Sequence, residues 1–298
     1  MVGSFEEAKV TVPALMASKG QRRITMLTAY DFTFARLADR AGVDVLLVGD
    51  SLAMVVQGHQ NTLGVTMDEM VYHTRMVARA SKRALVLADM PFLSYQVSPE
   101  EALANAGRFI KESGAEAVKL EGGVNMAATV ERLVAVDIPV VGHIGLTPQS
   151  VHRMGGHKVQ GRRSGKAPGA RQRLIEDARA LDEAGASMVV IEGVPAELAA
   201  EITGAIEVPT IGIGAGPDCD GQVLVMNDVL GLEDRISPKF VKRYAELAAE
   251  TERAISDYVD EVREGDFPAQ EHCFTAPRAL RGASDRRATP IRGARTKR

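Results

Sequence analysis

Ionisable residues stand at the ends of apolar runs in this 298-residue chain, and their types suggest shared chemistry. The run Val43–Asp50 (VDVLLVGD) ends in Asp50-Ser51, and Ala84–Pro91 (ALVLADMP) carries Asp89. Ala117–Gly123 (AVKLEGG) carries Lys119 and Glu121, Ile138–Gly145 (IPVVGHIG) carries His143, and Ser187–Val194 (SMVVIEGV) carries Glu192. Four carboxylates converging from four runs cannot all stay ionised in a dry interior, because mutual repulsion and lost hydration both raise their pKa. A hard cation relieves that conflict. Asp50, Asp89 and Glu121 offer oxygen ligands, and the lack of Cys/His clusters favours Mg²⁺ over zinc. Lys119 needs a carboxylate or an anionic ligand if it is buried, and Glu192, last in the series, suits a general base. A lone His143 is more often a satisfied core histidine, so it enters only as a further candidate. The competing reading makes each acid a helix cap or a loop charge; it suits a single Asp better than four acids placed alike.

The elements that would position these groups alternate. Further apolar runs at Ile24–Tyr30, Val208–Gly216 and Gln222–Met226 bring the total to eight. Several are nearly continuous Val, Ile and Leu, as expected of parallel strands buried on both faces. Amphipathic stretches separate them: Thr33–Ala41, Met67–Ala80, Ser98–Ser113, Met126–Ala135, Arg171–Ala184 and Pro195–Ile206. Ser98-Pro99-Glu100-Glu101 reads as a helix start, and Gly42, Gly114 and Gly185 follow helix ends where a left-handed cap is wanted. Strand–helix alternation implies right-handed crossovers, and eight units in this length predict an α/β fold, a single-domain (β/α)8 TIM barrel over 1–275. Helices over Pro238–Tyr258 are expected to close the ring. Active sites of such barrels lie at the carboxyl ends of the strands, where these acids fall. Lys119 and Glu121, two apart, point to one face of their strand. The segment Gln149–Ala170 lacks periodicity and reads as a functional loop over that end; from Lys158 to Arg173 it holds six basic residues and no acid.

Composition excludes several classes. With 45% hydrophobic and 25% charged residues, the chain is neither disordered throughout nor fibrous. Two cysteines, Cys219 and Cys273, without a CxxC, give no disulfide framework or structural zinc and suit a reducing compartment. No secretory signal and no span of about 20 apolar residues is seen, so the expected location is cytoplasmic, with no membrane partner. Residues 276–298 hold seven Arg and one Lys against one Asp, a balance of +7; the formal total is −3, so the other 275 residues carry −10. That basic tail is expected to be disordered, and the acidic body argues against nucleic acid as the main partner. Gly212-Ile-Gly214-Ala-Gly216 lacks the spacing of a dinucleotide or P-loop motif; its glycines would let a flat ligand approach the backbone.

Taken together, VGDS at Asp50-Ser51, NTLGVT through Thr66, Asp89-Met-Pro-Phe, Val118-Lys-Leu-Glu-Gly, Gly142-His-Ile-Gly-Leu-Thr-Pro-Gln149, Lys158-Val-Gln-Gly, Ile191-Glu-Gly-Val-Pro195, Ile211-Gly-Ile-Gly-Ala-Gly216 and Asp220-Gly-Gln-Val-Leu-Val resemble the ketopantoate hydroxymethyltransferase family, from about Val10 to about Phe274. The resemblance implies transfer of a hydroxymethyl group from 5,10-methylenetetrahydrofolate to 3-methyl-2-oxobutanoate, giving 2-dehydropantoate for pantothenate biosynthesis through a Mg²⁺-stabilised enolate. It implies Asp50, Asp89 and Glu121 as Mg²⁺ ligands, directly or through water. It also implies Asp50, Ser51, Asp89 and Lys119 as the keto-acid site, Glu192 as proton acceptor, and a homo-oligomer, a decamer in many members. His157 stands where the family often has Tyr, and Gly193 where Cys is frequent. Two other readings are a Mg²⁺-dependent 2-oxo acid C–C lyase or mutase on the same barrel, and a non-catalytic ligand-binding barrel. Fold alone does not choose among them.

Overall fold

The computed structural model describes residues 8–156, 158–162, 169–233 and 238–275. All eight apolar runs form strands: β1 Ile24–Thr28, β2 Val45–Val48, β3 Leu85–Asp89, β4 Ala117–Glu121, β5 Val140–Gly145, β6 Met188–Glu192, β7 Thr210–Ile213 and β8 Gly221–Leu224. They pair in chain order, and β8 returns to β1 to close the barrel. Every pairing is parallel, from Met26 opposite Val45 around to Ile24 opposite Gly221.

The helices are α1 Val12–Met16, α2 Phe32–Arg40, α3 Leu52–Val55, α4 Met67–Ala80, α5 Pro99–Arg108, α6 Ala127–Val134, α7 Val151–Met154, α8 Ala170–Glu183, α9 Ala196–Ala205, α10 Met226–Val229 and α11 Leu247–Glu264. Their starts and stops follow the local chemistry. Ser98 caps α5 by accepting from the Glu101 amide, with Pro99 in the first turn. Thr66 and Glu69 form a reciprocal capping box on α4. Gly42, Gly114 and Gly185 take φ of 88°, 80° and 88°, the left-handed values expected after a helix end.

Two hydrophobic layers result. One lies between strands and helices, with Leu46, Val86, Val118 and Val189 facing outward. The other fills the barrel with Met26, Val45, Leu47, Leu85, Leu87, Ala117, Val141, Met188, Val190, Ile211 and Val223. Val10 and Leu15 join that interior group from the N-terminal segment. Thr11 caps α1, with Pro13 in its first turn, a start signal readable in Thr11-Val12-Pro13 but absent from the helices expected above.

Beneath the strands, Asp220 receives the amides of Gly20 (3.2 Å) and Thr210 (2.9 Å) and pairs with Lys19 at 3.1 Å. The loop glycines Gly212, Gly214 and Gly216 sit against the chain's own side chains. A Cβ would meet Cys219 Sγ at 3.0 Å or the Phe240 ring at 2.9 Å at the first two, and would overlap Ala196 at the third. The chain's own packing requires them.

Contacts divide the chain into a unit ending at Leu247, which contains the barrel, and a second unit from Ala248. The expected helices over Pro238–Tyr258 begin only at Leu247; described residues 238–246 are not helical. No residue of α11 is buried. The basic tail 276–298, His157 and part of the basic loop lie outside the described residues. Among the described residues, no helix is long and apolar enough to cross a membrane.

Candidate active site

Strand periodicity carries the ionisable groups into the barrel mouth. Asp89 continues the inward series Leu85, Leu87; Lys119 and Glu121 continue Ala117; His143 continues Val141; Glu192 continues Met188, Val190. All but Glu192 are buried, and the Glu192 side chain is 14% exposed. Gly49 occupies the corresponding position after β2. A Cβ there would meet Ser51 Oγ at 2.7 Å and Asp89 Oδ2 at 3.6 Å, so its absence opens the mouth beside both.

The groups form one connected ring. Lys119 Nζ lies 2.9 Å from Asp89 Oδ1 and 3.2 Å from His143 Nδ1. An ammonium only donates, so His143 Nδ1 accepts and the neutral ring carries its proton on Nε2. That Nε2 is buried and lies 3.4 Å from Glu192 Oε2. Asp50 is set by its own amide, which donates to Asp89 Oδ2 (3.1 Å), and by Gln149 Nε2, which donates to Asp50 Oδ2 (2.9 Å). The Ser51 hydroxyl is 2.8 Å from the Tyr30 hydroxyl and makes no helix-cap bond on α3.

Gln149 and Tyr95, absent from the site residues expected from sequence, hold this arrangement. The Gln149 amide donates to Glu121 Oε2 at 3.0 Å, and Gln149 Oε1 accepts from Tyr95 Oη at 2.7 Å. Tyr95 Oη in turn accepts from the Glu121 amide at 3.0 Å. Gln149 closes the motif Gly142-His-Ile-Gly-Leu-Thr-Pro-Gln149, which was its only sequence signal.

Electrostatics distinguish the ring members. Burial and then the charge of Asp89 push the Asp50 carboxyl up to about 7, against Lys119 and Gln149. Burial and then Asp50 raise Glu121 well above the carboxylate range. Burial opposes the Lys119 charge, but Asp89, Glu121 and Asp50 outweigh it and hold the ammonium protonated. Burial and then Lys119 push His143 well down, so it stays neutral. Acid therefore exceeds base here, and one ammonium does not balance it.

The donor set fits a hard divalent cation. Among the described residues, no three His, Cys, Asp or Glu side chains already surround one point. The Asp50 amide binds Asp89 Oδ2, which borders the space opened at Gly49, and Gln149 links Asp50 to Glu121. A cation that takes a few carboxylate oxygens and keeps waters suits such a site.

The barrel is shared with solved structures of low sequence identity. Phosphoenolpyruvate phosphomutase from Streptomyces platensis aligns with a TM-score of 0.56 at 15% identity, covering 86% of this chain and 88% of the other. A phosphonopyruvate hydrolase solved with oxalate and Mg²⁺ aligns at 0.54 and 14%, covering 88% and 92%. At such identities the likeness speaks for the fold alone. Sequence likeness goes further. The 3-methyl-2-oxobutanoate hydroxymethyltransferase of Pelobacter propionicus is 60% identical over 89% of this chain and 97% of its own length. That of Trichlorobacter lovleyi is 58% identical over 90% and 99%. The family model described as ketopantoate hydroxymethyltransferase matches residues 9–270, which span the barrel and every group of the ring. The chain thus belongs to the ketopantoate hydroxymethyltransferase family and is an enzyme of the transferase class.

Proposed function

We propose that the chain transfers the one-carbon unit of 5,10-methylenetetrahydrofolate to 3-methyl-2-oxobutanoate, giving 2-dehydropantoate and tetrahydrofolate. The observation that supports this reading is the ring of buried Asp89, Lys119 and His143 with the less buried Glu192 at the barrel mouth of a chain in this family. Asp50 and Asp89, with Glu121 directly or through water, would hold Mg²⁺. When bound, Mg²⁺ supplies Lewis-acid polarisation of the substrate carbonyl.

The chain's own groups do the rest. Ser51 Oγ and the Lys119 ammonium bind the keto acid, and Lys119 places positive charge beside its carboxylate or the developing enolate oxygen. Glu192 takes the C3 proton as general base. The neutral His143 ring, held by Lys119 at Nδ1, lies with Nε2 3.4 Å from Glu192 Oε2 and places an uncharged group beside that carboxylate. Water breaks the two methylene–nitrogen bonds, releasing tetrahydrofolate and a formaldehyde-level carbon; the C3 carbanion adds to that carbonyl, and the new alkoxide takes the proton held by Glu192. No covalent enzyme intermediate is needed.

The test is nuclear magnetic resonance of the protein with 3-methyl-2-oxobutanoate and methylenetetrahydrofolate, first with Mg²⁺ and then with excess chelator. Metal-dependent appearance of 2-dehydropantoate is expected. Its absence from folded protein in both samples would refute the reading, and metal-dependent cleavage without folate would favour a lyase. Glu192→Gln is expected to bind keto acid without exchanging its C3 proton; rapid exchange would remove Glu192 from the role.

A further inference from the structure

The Ser51 hydroxyl owes its setting to a tyrosine that the steps above leave unused. Tyr30 follows β1, is 4% exposed, and belongs to the apolar layer between strands and helices. Its carbonyl lies 2.7 Å from His73 Nδ1 of α4, which holds the main chain there. The side chain nevertheless ends beside the barrel mouth, with Oη 2.8 Å from Ser51 Oγ. Burial pushes the Tyr30 hydroxyl well above its ordinary pKa, against the neighbouring Ser51 and Thr28 hydroxyls, so it keeps its proton.

The direction of that hydrogen bond follows from counting donors. The Met226 amide donates to Thr28 Oγ1 at 2.9 Å, and the buried Thr28 hydroxyl still needs an acceptor for its own proton. Tyr30 Oη is the hydroxyl beside it. Were Tyr30 to donate to Thr28, that proton would lack an acceptor among the described residues, and a buried donor left unmet is costly. The bonds therefore run from the Met226 amide to Thr28, from Thr28 to Tyr30, and from Tyr30 to Ser51. Ser51 Oγ is then an acceptor toward Tyr30 and makes no helix-cap bond, so its proton is left for a partner elsewhere. A gap at Gly49 has room for that partner. A Cβ there would stand 2.7 Å from Ser51 Oγ, 3.6 Å from Asp89 Oδ2 and 3.7 Å from Thr28 Cγ2. Asp89, which borders the same gap, already receives the Lys119 ammonium and the Asp50 amide.

We propose that Tyr30 is a positioning residue for the keto acid: backed by Thr28, its hydroxyl fills the acceptor side of Ser51 Oγ and commits Ser51 to donate into the gap at Gly49. The proposal deepens the functional reading above and rests on Ser51 binding the keto acid. A committed donor at this point selects an oxygen acceptor. A 2-oxo acid meets that demand, whereas the ammonium of a 2-amino acid, which has only donors, is refused.

The test is a double-mutant cycle read by calorimetry of 3-methyl-2-oxobutanoate with Mg²⁺ and without folate. Ser51→Ala is expected to weaken binding about ten- to a hundredfold, the range for a hydrogen bond to a charged group. Tyr30→Phe keeps the ring and leaves Ser51 in place but free to turn, so a loss of about three- to tenfold is expected. Added to Ser51→Ala, Tyr30→Phe should change affinity by less than about twofold, because its effect passes through Ser51. Thr28→Val should likewise weaken binding only while Ser51 is present. Undiminished affinity in folded Tyr30→Phe, or the same loss with and without Ser51, would overturn the assignment and leave Tyr30 a packing residue. Full affinity in Ser51→Ala would instead remove Ser51 from the keto-acid site, and the role of Tyr30 with it.

Discussion

Replacing Lys119 by Met keeps most of its volume and removes the one lysine charge that the buried carboxylates face. At 2.9 Å from Asp89, the gross attraction is about 6 kcal/mol at an effective dielectric of about 20. The net loss is smaller, because the cluster can escape by taking up a proton. Protonating a carboxylate of ordinary pKa near 4 costs about 1.4 kcal/mol for each pH unit above it, or about 4 kcal/mol at pH 7. That figure caps the penalty and agrees with the 3–5 kcal/mol typical of breaking a buried pair. At pH 5 the same proton costs only about 1.5 kcal/mol. In the variant the cluster's folded pKa lies above its unfolded value, so stability is lost as pH rises. Denaturant unfolding in chelator should therefore show Lys119→Met weaker by about 3–4 kcal/mol at pH 7, shrinking by about half or more at pH 5. Mg²⁺ should recover part of the loss at pH 7. A deficit as large at pH 5 as at pH 7 would refute the charge-balance reasoning.

Tyr95→Phe removes the hydroxyl that the Glu121 amide donates to and that donates to Gln149 Oε1. A loss of about 1–3 kcal/mol in chemical denaturation is expected, together with lower activity; less than about 0.5 kcal/mol would contradict the network. Asp220→Ala should cost about 2–4 kcal/mol while specific activity of the folded protein is retained, because its partners lie at the opposite end of the barrel from the ring. Burial opposes the Asp220 charge, but the Thr210 amide and Lys19 hold its pKa below the usual value. Its contribution is thus present above about pH 4 and lost in acid, so the deficit should shrink there. If Asp50 holds Mg²⁺ as proposed, its carboxyl, pushed up to about 7 by burial and Asp89, must give up a proton when the metal arrives. Calorimetry should find affinity falling about tenfold per unit below pH 7, with proton release on binding; equal affinity at pH 5.5 and 7.5 would refute this.

The barrel and its ring were legible for different reasons. Buried parallel strands leave continuous apolar runs, so all eight strands could be read in order, although their ends were overrun: the expected Val208–Gly216 shortens to Thr210–Ile213. Polar residues that interrupt such runs are rare enough to stand out, which exposed Asp89, Lys119, Glu121, His143 and Glu192. His143 was weighed as an isolated histidine, yet its parity with Val141 already put it inside the barrel. Gln149 and Tyr95 were missed because their value lies in hydrogen bonds across 54 residues of sequence, which no local pattern reports. The packing need for the glycines of Gly212–Gly216 was missed for the same reason. Their need comes from Cys219, Phe240 and Ala196, two of them distant in sequence. Tertiary packing also decided the stretch before Leu247, where helical composition over 238–246 yielded no helix.

The ring's unequal carboxylates support one division of labour among them. A general base must be ionised near neutral pH and able to accept a proton without surrendering an essential partner. Asp89 is tied on both oxygens, by the Lys119 ammonium and the Asp50 amide. Asp50, with its carboxyl at about 7, is half protonated near neutrality and is held by Gln149. Glu121 also resists ionisation, through burial and the charge of Asp50, and accepts the Gln149 amide. Glu192 differs from all three: it is the least buried, and the group 3.4 Å from its Oε2 is a neutral imidazole rather than a cation. A neutral neighbour does not suppress a carboxylate's basicity as an ammonium would. His143 can play that part only while Lys119 occupies its Nδ1. In the proposed mechanism the lysine would therefore act twice, as the charge beside the substrate and as the group that fixes the tautomer of the histidine beside the base.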